Sequence, residues 1–280
     1  MARTTAAVAA GPRFSALFSE LRDYPDALVP ADAAEQWAAD RPAAIELLRP
    51  AGHERAQQWR LASRDHHDPL QVVLWELSAL SRVLELMILP YQPATAEPGY
   101  VGPLPEPDAY PRFAAAIGLT RIAQDAFHPF FHEIVEVEQA DDPDEPIRLV
   151  DEVWPGYLLG SLLVQRAGVR VRAGTAYAVA AVATRSRLHW AWWRRHRGTH
   201  AFGGETSGRG SFRRDYRTSE GLYYNVDAQP ESVRSGRGEP PLSSAERLEL
   251  LRHRCVLRRA EAAGTVWSWA DHLRCCEPSH

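Results

Sequence analysis

The sequence contains no lysine, so all 32 basic residues among its 280 are arginine. That excludes ammonium contacts and leaves guanidinium chemistry at every basic site, although a GC-rich coding bias accounts for the substitution more simply than selection at each position. Cysteine is scarce: Cys255, Cys275 and Cys276 cannot build a disulfide framework, which suits a reducing cytoplasm. No apolar run approaches the roughly 20 residues of a membrane span. The best stretch, 70–89, is interrupted by Glu76, Arg82 and Glu85. Residues 1–12 lack the basic start and long apolar stretch of a signal peptide and read as a flexible N-terminal tail. Internal repeats, charged low-complexity tracts and a clear linker are also lacking, so 13–280 reads as one domain. The net charge of -4 gives no bulk attraction to nucleic acid or an anionic membrane. What remains, 45% apolar and 24% charged, is the composition of an ordinary globular protein.

Periodicity predicts short helices over 14–21 and 32–48, the second opening at Asp32. Leu70, Val73, Leu74, Leu77, Leu80, Leu84 and Met87 recur at helical spacing between Pro69 and Pro90, which predicts a long helix. Residues 90–111 read as an extended connector or lid, and 113–127 as a further helix. The period then becomes strand-like in 132–138 and again in 147–153. Between them lies the turn Asp141-Asp142-Pro143-Asp144-Glu145-Pro146, so the pair is expected to form a β-hairpin. The prolines favour a solvated loop there over a metal motif. One or two more strands are expected in 162–172, helix in 177–197, and a last helix in 244–263. The fold class is therefore read as mainly α, with a small β-hairpin or sheet element.

The segment Trp192-Trp193-Arg194-Arg195-His196 opens onto a glycine-rich loop, 201–216. On a helix His189, Trp192 and Trp193 share the face of His196, while Arg187 and Arg194 point elsewhere. Nine arginines lie between Thr184 and Thr218, against Glu205 and Asp215. Such a density can neutralise carboxylates or phosphates. Stacking and phosphate contacts to single-stranded RNA or DNA, or tryptophans in a core under a solvated arginine face, are the competing readings. A cofactor site explains the histidine, tryptophans, arginines and glycines together. Elsewhere, His128 and His132 stand four apart, but Pro129 and the strand-like continuation make a pocket wall a better reading than a zinc pair.

Trp193-Arg194-Arg195-His196 followed by Gly203-Gly204-Glu205-Thr206-Ser207-Gly208 resembles the proximal-histidine helix and glycine-threonine-rich loop of tryptophan 2,3-dioxygenase. His128-Pro129-Phe130-Phe131-His132-Glu133, the run 166–174 and Phe212-Arg213-Arg214-Asp215-Tyr216 resemble the bacterial heme-dependent L-tyrosine 3-hydroxylases of the same superfamily. The resemblance covers roughly 65–227 and is specific only in combination. It implies a tryptophan dioxygenase-like helical domain holding heme b, with His196 as axial iron ligand and His189 or His200 as alternatives. Trp193, Arg194, Arg209 and Arg213 would line the cofactor. His132, Glu133, Thr206, Ser207, Arg209 and Tyr223 would meet the substrate, with Tyr224 and Trp192 as further pocket walls. His66 or His67 would move the distal proton. The spacing of His272 and Cys276 resembles a thioether heme attachment, although its terminal position favours an incidental tail. The implied reaction is hydroxylation of L-tyrosine to L-DOPA by hydrogen peroxide in natural-product biosynthesis, with a homodimer admitted and neither nucleic acid nor membrane as partner. An indole-opening heme dioxygenase and a non-enzymatic ligand- or RNA-binding accessory protein are the alternatives.

Overall fold

A computed structural model describes residues 13–59, 69–93, 101–193, 212–228, 242–258 and 274–278. They are 40% helical and 23% strand, with the strands in three sheets. The mainly α, tryptophan dioxygenase-like expectation is thereby corrected to a mixed α/β architecture. In chain order the elements begin with α1 (Phe14–Arg22), β1 (Leu28–Val29), α2 (Ala33–Ala39), α3 (Pro42–Leu48) and α4 (Pro69–Met87). β2 (Leu104–Pro105), α5 (Ala109–Ala116), β3 (Thr120–Arg121), β4 (His132–Gln139), β5 (Arg148–Trp154), β6 (Tyr157–Leu159) and β7 (Leu162–Gln165) follow. The rest are β8 (Ala167–Ala173), α6 (Ala180–Ala183), α7 (Arg187–Trp193), β9 (Tyr216–Arg217), β10 (Gly221–Tyr224), α8 (Ser244–His253) and β11 (Cys275–Pro278). Many strands are two to four residues long, too short to carry a readable period of two, which is why composition and periodicity overweighted helix.

Two compact units result. The first comprises the described parts of Met1–Thr120, Leu158–Val164 and Trp192–Phe212. Here α1 buries Phe14, Leu17, Phe18 and Leu21, one stripe at helical spacing, against α4. The expected long helix is present as α4, and it carries Glu76 into the interior. Glu76 Oε2 accepts a hydrogen bond from the Phe14 backbone N–H at 3.0 Å. This carboxylate satisfies one of the orphan donors at the start of α1, where no side-chain cap is formed by Arg13. Burial raises the Glu76 pKa despite that bond and the nearby Arg13. The helix expected over 32–48 is two helices, because Pro42 cannot continue an i to i-4 ladder and instead opens α3 at its first turn. Likewise the helix expected over 113–127 ends at Ala116, and Gly118 at φ 75 turns the chain out. Gly160, between β6 and β7 at φ 55, approaches Gly52 so closely that an added Cβ would sit 2.4 Å from the Gly52 carbonyl oxygen. That oxygen accepts from Ser161 N at 2.8 Å, so the approach is bonded as well as tight.

The second unit comprises the described parts of Arg121–Tyr157, Gln165–Ala191 and Arg213–His280. Its three-stranded sheet has the order β4-β8-β5, with β8 parallel to β4 and antiparallel to β5. Both strands of the expected hairpin therefore exist, but β8 lies between them and the hairpin pairing is corrected. The alternation of β8 explains the insertion. Ala167, Val169, Val171 and Ala173 are fully buried, whereas the outward residues of β5 are solvated, as suits an edge. On the opposite face Arg170 pairs with Glu136 and Asp151, and Arg172 with Glu138 and Glu145. These are exposed pairs of small energetic weight.

After β8 the helix expected over 177–197 is interrupted. α6 ends at Ala183, and Ser186 Oγ accepts from His189 N at 3.2 Å, starting α7 anew. β9, β10 and β11 form an antiparallel set in which Tyr223 faces Tyr216 and Cys276 across the strands. The last helix begins at Ser244 as expected, with Ser243 as its N-cap: Ser243 and Glu246 make a reciprocal capping box. It stops at Arg254, not near 263, because Arg254 adopts the left-handed conformation at φ 61. No helix among the described residues is long and apolar enough to cross a membrane.

Candidate functional site

The three segments that carried the tyrosine hydroxylase resemblance, 128–133, 166–174 and 212–216, converge in the second unit on one buried charged cluster. β4 supplies Glu133, 1% exposed, and the residue before β8 supplies Arg166, 1% exposed. Asp215 precedes β9 and is fully buried. Arg213 and Arg254 complete the group. Asp215 Oδ1 accepts from Arg213 Nε at 2.8 Å and from Asn225 N at 2.7 Å. Its Oδ2 stands 3.5 Å from Arg166 Nη2 and 3.6 Å from Arg254 Nη2. Glu133 Oε1 accepts from Leu188 N at 3.0 Å in the first turn of α7, while Oε2 lies 3.9 Å from Arg254 Nε.

Two backbone features hold this group in place. Asn225 at φ 53 and Arg254 at φ 61 are the non-glycine residues at positive φ among those described, and both meet Asp215. Sparsely populated backbone conformations persist where surrounding contacts over-determine them, and they gather at working sites. Electrostatics is equally one-sided. Burial alone would raise the Asp215 pKa, but Arg213, Arg166 and Arg254 together hold it below the usual carboxylate range. Burial lowers the Arg166 pKa against the attraction of Asp215, and burial with Arg166 repulsion brings Arg254 down to about 9. At about 9, Arg254 remains cationic at neutral pH.

Beside the cluster stand three histidines. A turn over 128–131 brings His128 onto His132, and His132 Nδ1 accepts from His128 N at 3.0 Å. His128 Nδ1 accepts from Phe130 N at 3.1 Å. Both Nδ1 lone pairs are therefore used by backbone donors, which removes the zinc pair that the spacing raised. Phe127 stacks between His132 and His253, with ring centroids 5.9 and 6.0 Å away. Burial, with His128 and Arg166, takes His132 down to about 4; burial, with Arg252 and Arg166, takes His253 down to about 3. Glu277 of β11 closes this flank, accepting from Tyr224 Oη at 3.0 Å and pairing with Arg252 at 2.6 Å.

Of the residues singled out in the sequence, Glu133 and Arg213 enter the cluster and His132 adjoins it. Arg213 also donates Nη2 to the Leu251 carbonyl at 2.7 Å, so it braces Asp215 and α8. Tyr223 is elsewhere: its hydroxyl donates to Glu220 at 2.8 Å, and its neighbour Tyr224 is the buried one, packed edge-on against Phe130. Trp193 is 41% exposed in the first unit, where its ring meets that of the buried Trp192 edge-on. Cys276 is exposed on β11. His66, His67, Arg194, His196, His200, Thr206, Ser207, Arg209 and His272 lie outside the described residues. Sequence reading missed Arg166, Asp215, Arg254, His253 and Glu277 as site residues. Arg166 and Asp215 carried a signal, since each stands within a motif already marked; Arg254 carried none.

Could the residues present hold a heme? Among the described residues no group of three or more histidine, cysteine or carboxylate side chains could chelate a metal ion, and a heme iron needs only one imidazole from the protein. His189, the described candidate, has Nδ1 2.9 Å from the Val135 carbonyl, and burial lowers its pKa. The neutral ring donates that proton, which fixes Nε2 as the lone-pair nitrogen, the donor chemistry of an axial ligand. The donor set fits. No protein-family model matches the sequence, no curated protein matches it, and no solved structure matches its fold.

Proposed function

We propose that the chain is a heme-dependent aromatic hydroxylase that converts L-tyrosine and hydrogen peroxide to L-DOPA and water, as a cytoplasmic enzyme of natural-product biosynthesis. The observation that supports this reading is the convergence of 128–133, Arg166 and 213–215 on one buried, arginine-rich cluster with strained backbone on two sides. The β4 and β8 pairing sets the Glu133 and Arg166 ends of the strands side by side, and Asp215 joins them from outside that sheet.

Heme b, when bound, supplies the two-electron oxidation of the phenol ring. His196 is the residue assigned to its iron, with His189 as the described alternative; Trp193, Arg194 and Arg209 are assigned to its surroundings. The chain's own described residues do the rest. Glu133 and Asp215 hold Arg166 and Arg254 in a dry interior, where a guanidinium acts more strongly on an anionic group than in water. His132 and His253 stay neutral at physiological pH and add no charge. Proton delivery is assigned to His66 or His67.

An absorption spectrum after heme reconstitution tests the reading. A Soret band, followed by a catechol product from L-tyrosine and peroxide, is expected. Absence of the band sinks it, and a kynurenine-type product from an indole substrate transfers the chain to the dioxygenase class. His196→Ala is expected to abolish tight heme binding with the fold retained; unchanged heme content moves the ligand role to His189.

A further inference from the structure

Away from the buried cluster, β10 and β11 set Tyr223 directly opposite Cys276. Residues directly opposite in an antiparallel pair share one face of the sheet, with Cβ atoms about 5 Å apart. The register therefore brings a thiol alongside a phenol. Tyr223 Oη donates its single proton to Glu220 Oε2 at 2.8 Å, and the Cys276 thiol is hydrogen-bonded to the same hydroxyl. Because that proton is given to Glu220, the sulfur must donate its own proton to the phenol oxygen. A sulfur held there stands beside a ring carbon that flanks the C–O bond, and those carbons are the electron-rich positions of a phenol. Cys276 is exposed and Tyr223 is half-buried, so a small oxidant reaches both. Cys275 is the neighbouring thiol, but successive side chains of a strand point to opposite faces, and Cys275 stands across from the buried Tyr224. A bond between the two cysteines would have to break the pairing of β11 with β10.

The geometry points to a covalent modification site: hydrogen peroxide joins Cys276 Sγ to the ring carbon beside the Tyr223 hydroxyl as a thioether. Peroxide is the oxidant of the proposed function, and the inference rests on that reading only for its supply. In the first step the Cys276 sulfur gives an electron pair to one peroxide oxygen and the O–O bond breaks. The departing hydroxide leaves as water with the thiol proton, and a sulfenic acid remains. In the second step the ring carbon gives a π pair to that sulfur and the S–O bond breaks. The hydroxide released takes the ring proton as a second water. Glu220 draws the phenol proton during the attack, which feeds electron density from the oxygen into the ring. One C–H and one S–H bond are lost, one C–S bond is made, and peroxide is reduced to two waters. The product ties β11 to β10, and with it Glu277, which accepts from Tyr224 and pairs with Arg252.

Mass spectrometry of the full-length, heme-free protein, purified reduced and then treated with hydrogen peroxide, tests this. The expected result is a loss of two hydrogens that survives dithiothreitol, with a linked peptide pair whose fragments place the bond between Tyr223 and Cys276. Tyr223→Phe is expected to abolish the linkage and leave Cys276 carrying added oxygen, because a ring without its hydroxyl is not activated. Cys276→Ser is expected to abolish the mass loss. A loss of two hydrogens that dithiothreitol reverses assigns the oxidation to a disulfide and overturns the proposal. Added oxygen on wild-type Cys276 without linkage overturns it as well, as does a protein that peroxide leaves unmodified. Linkage that persists in Tyr223→Phe also overturns it. Because no heme is present, linkage upholds the site even where heme reconstitution gives no Soret band, whereas a Soret band with no linkage overturns the site and leaves the proposed function standing.

Discussion

Asp215 and Arg166 face each other at 3.5 Å with both side chains removed from solvent, 49 residues apart in the chain. Their relationship is one of mutual tolerance more than of strong bonding. Asp215 spends Oδ1 on Arg213 and Asn225 N, and only Oδ2 turns toward Arg166 and Arg254. Removing the charge of Asp215 would leave Arg166, Arg213 and Arg254 without the carboxylate that all three approach. Asp215→Asn is therefore expected to cost about 3 to 5 kcal/mol, the range for breaking a buried ion pair from one side. Adding Arg166→Met to that background is expected to recover part of the loss, because an apolar side chain needs no counter-charge. Urea denaturation midpoints of the single and double variants check both statements; a double variant less stable than Asp215→Asn contradicts the account.

How much of this was legible beforehand differs by element. α1 and α4 were readable because each buries a stripe that repeats at helical spacing within its own sequence. The strands β4 and β5 were readable for the same local reason, but their partner was not. Pairing depends on which strand has an apolar inner face long enough to be central, and β8 wins that place from 28 residues beyond the end of β4. The site shows the same division. Glu133 and Arg213 stood in segments that the resemblance had marked, whereas Arg254 reaches the cluster where a left-handed residue ends α8. Tyr223 and Tyr224 are adjacent and chemically alike, and only the register of β10 decides that Tyr224 turns inward.

Close packing at Gly168 gives a second expectation. A Cβ built there would lie 2.3 Å from the Trp154 indole, whose Nε1 donates to the Arg166 carbonyl at 3.2 Å. Gly168→Ala must push the indole off that bond, at a cost of about 1 to 3 kcal/mol for overpacking. The near-UV circular dichroism should change along with the denaturation midpoint. A variant with native stability and an unchanged tryptophan signal would mean that Trp154 has room to move.

At the opposite end of the energy scale, the capping box of α8 offers a mild test. Ser243 Oγ accepts from Glu246 N at 3.3 Å, and Glu246 Oε2 accepts from Ser243 N at 2.8 Å. Ser243→Ala leaves the Glu246 N–H without its side-chain acceptor and is expected to destabilise by about 1 kcal/mol. Because α8 delivers His253 and Arg254, the same variant should increase amide exchange over 244–254. Exchange that rises elsewhere and not there would place the effect outside the cap.

Acid sensitivity follows from the neutral histidines. An unfolded chain titrates its histidines near the ordinary value of 6.5, but the folded protein holds His132 down to about 4 and His253 down to about 3, in each case chiefly through burial. Between those limits the unfolded state binds more protons than the folded one, so stability must rise with pH there. The contribution is fully present above about pH 6.5 and is lost progressively as pH falls through the folded values. His132, almost wholly buried, contributes on the order of 3 kcal/mol across the full window. Asp215 adds to the loss only lower down, since its folded pKa lies below an already acidic ordinary value. Denaturation midpoints are therefore expected to fall between pH 7.5 and pH 5, before carboxylates titrate appreciably. His253→Phe, which keeps a ring stacked on Phe127 and removes the titrating group, is expected to flatten that fall. An equally steep decline in the variant would assign the acid sensitivity to the other histidines held down by burial, His128, His132 and His189.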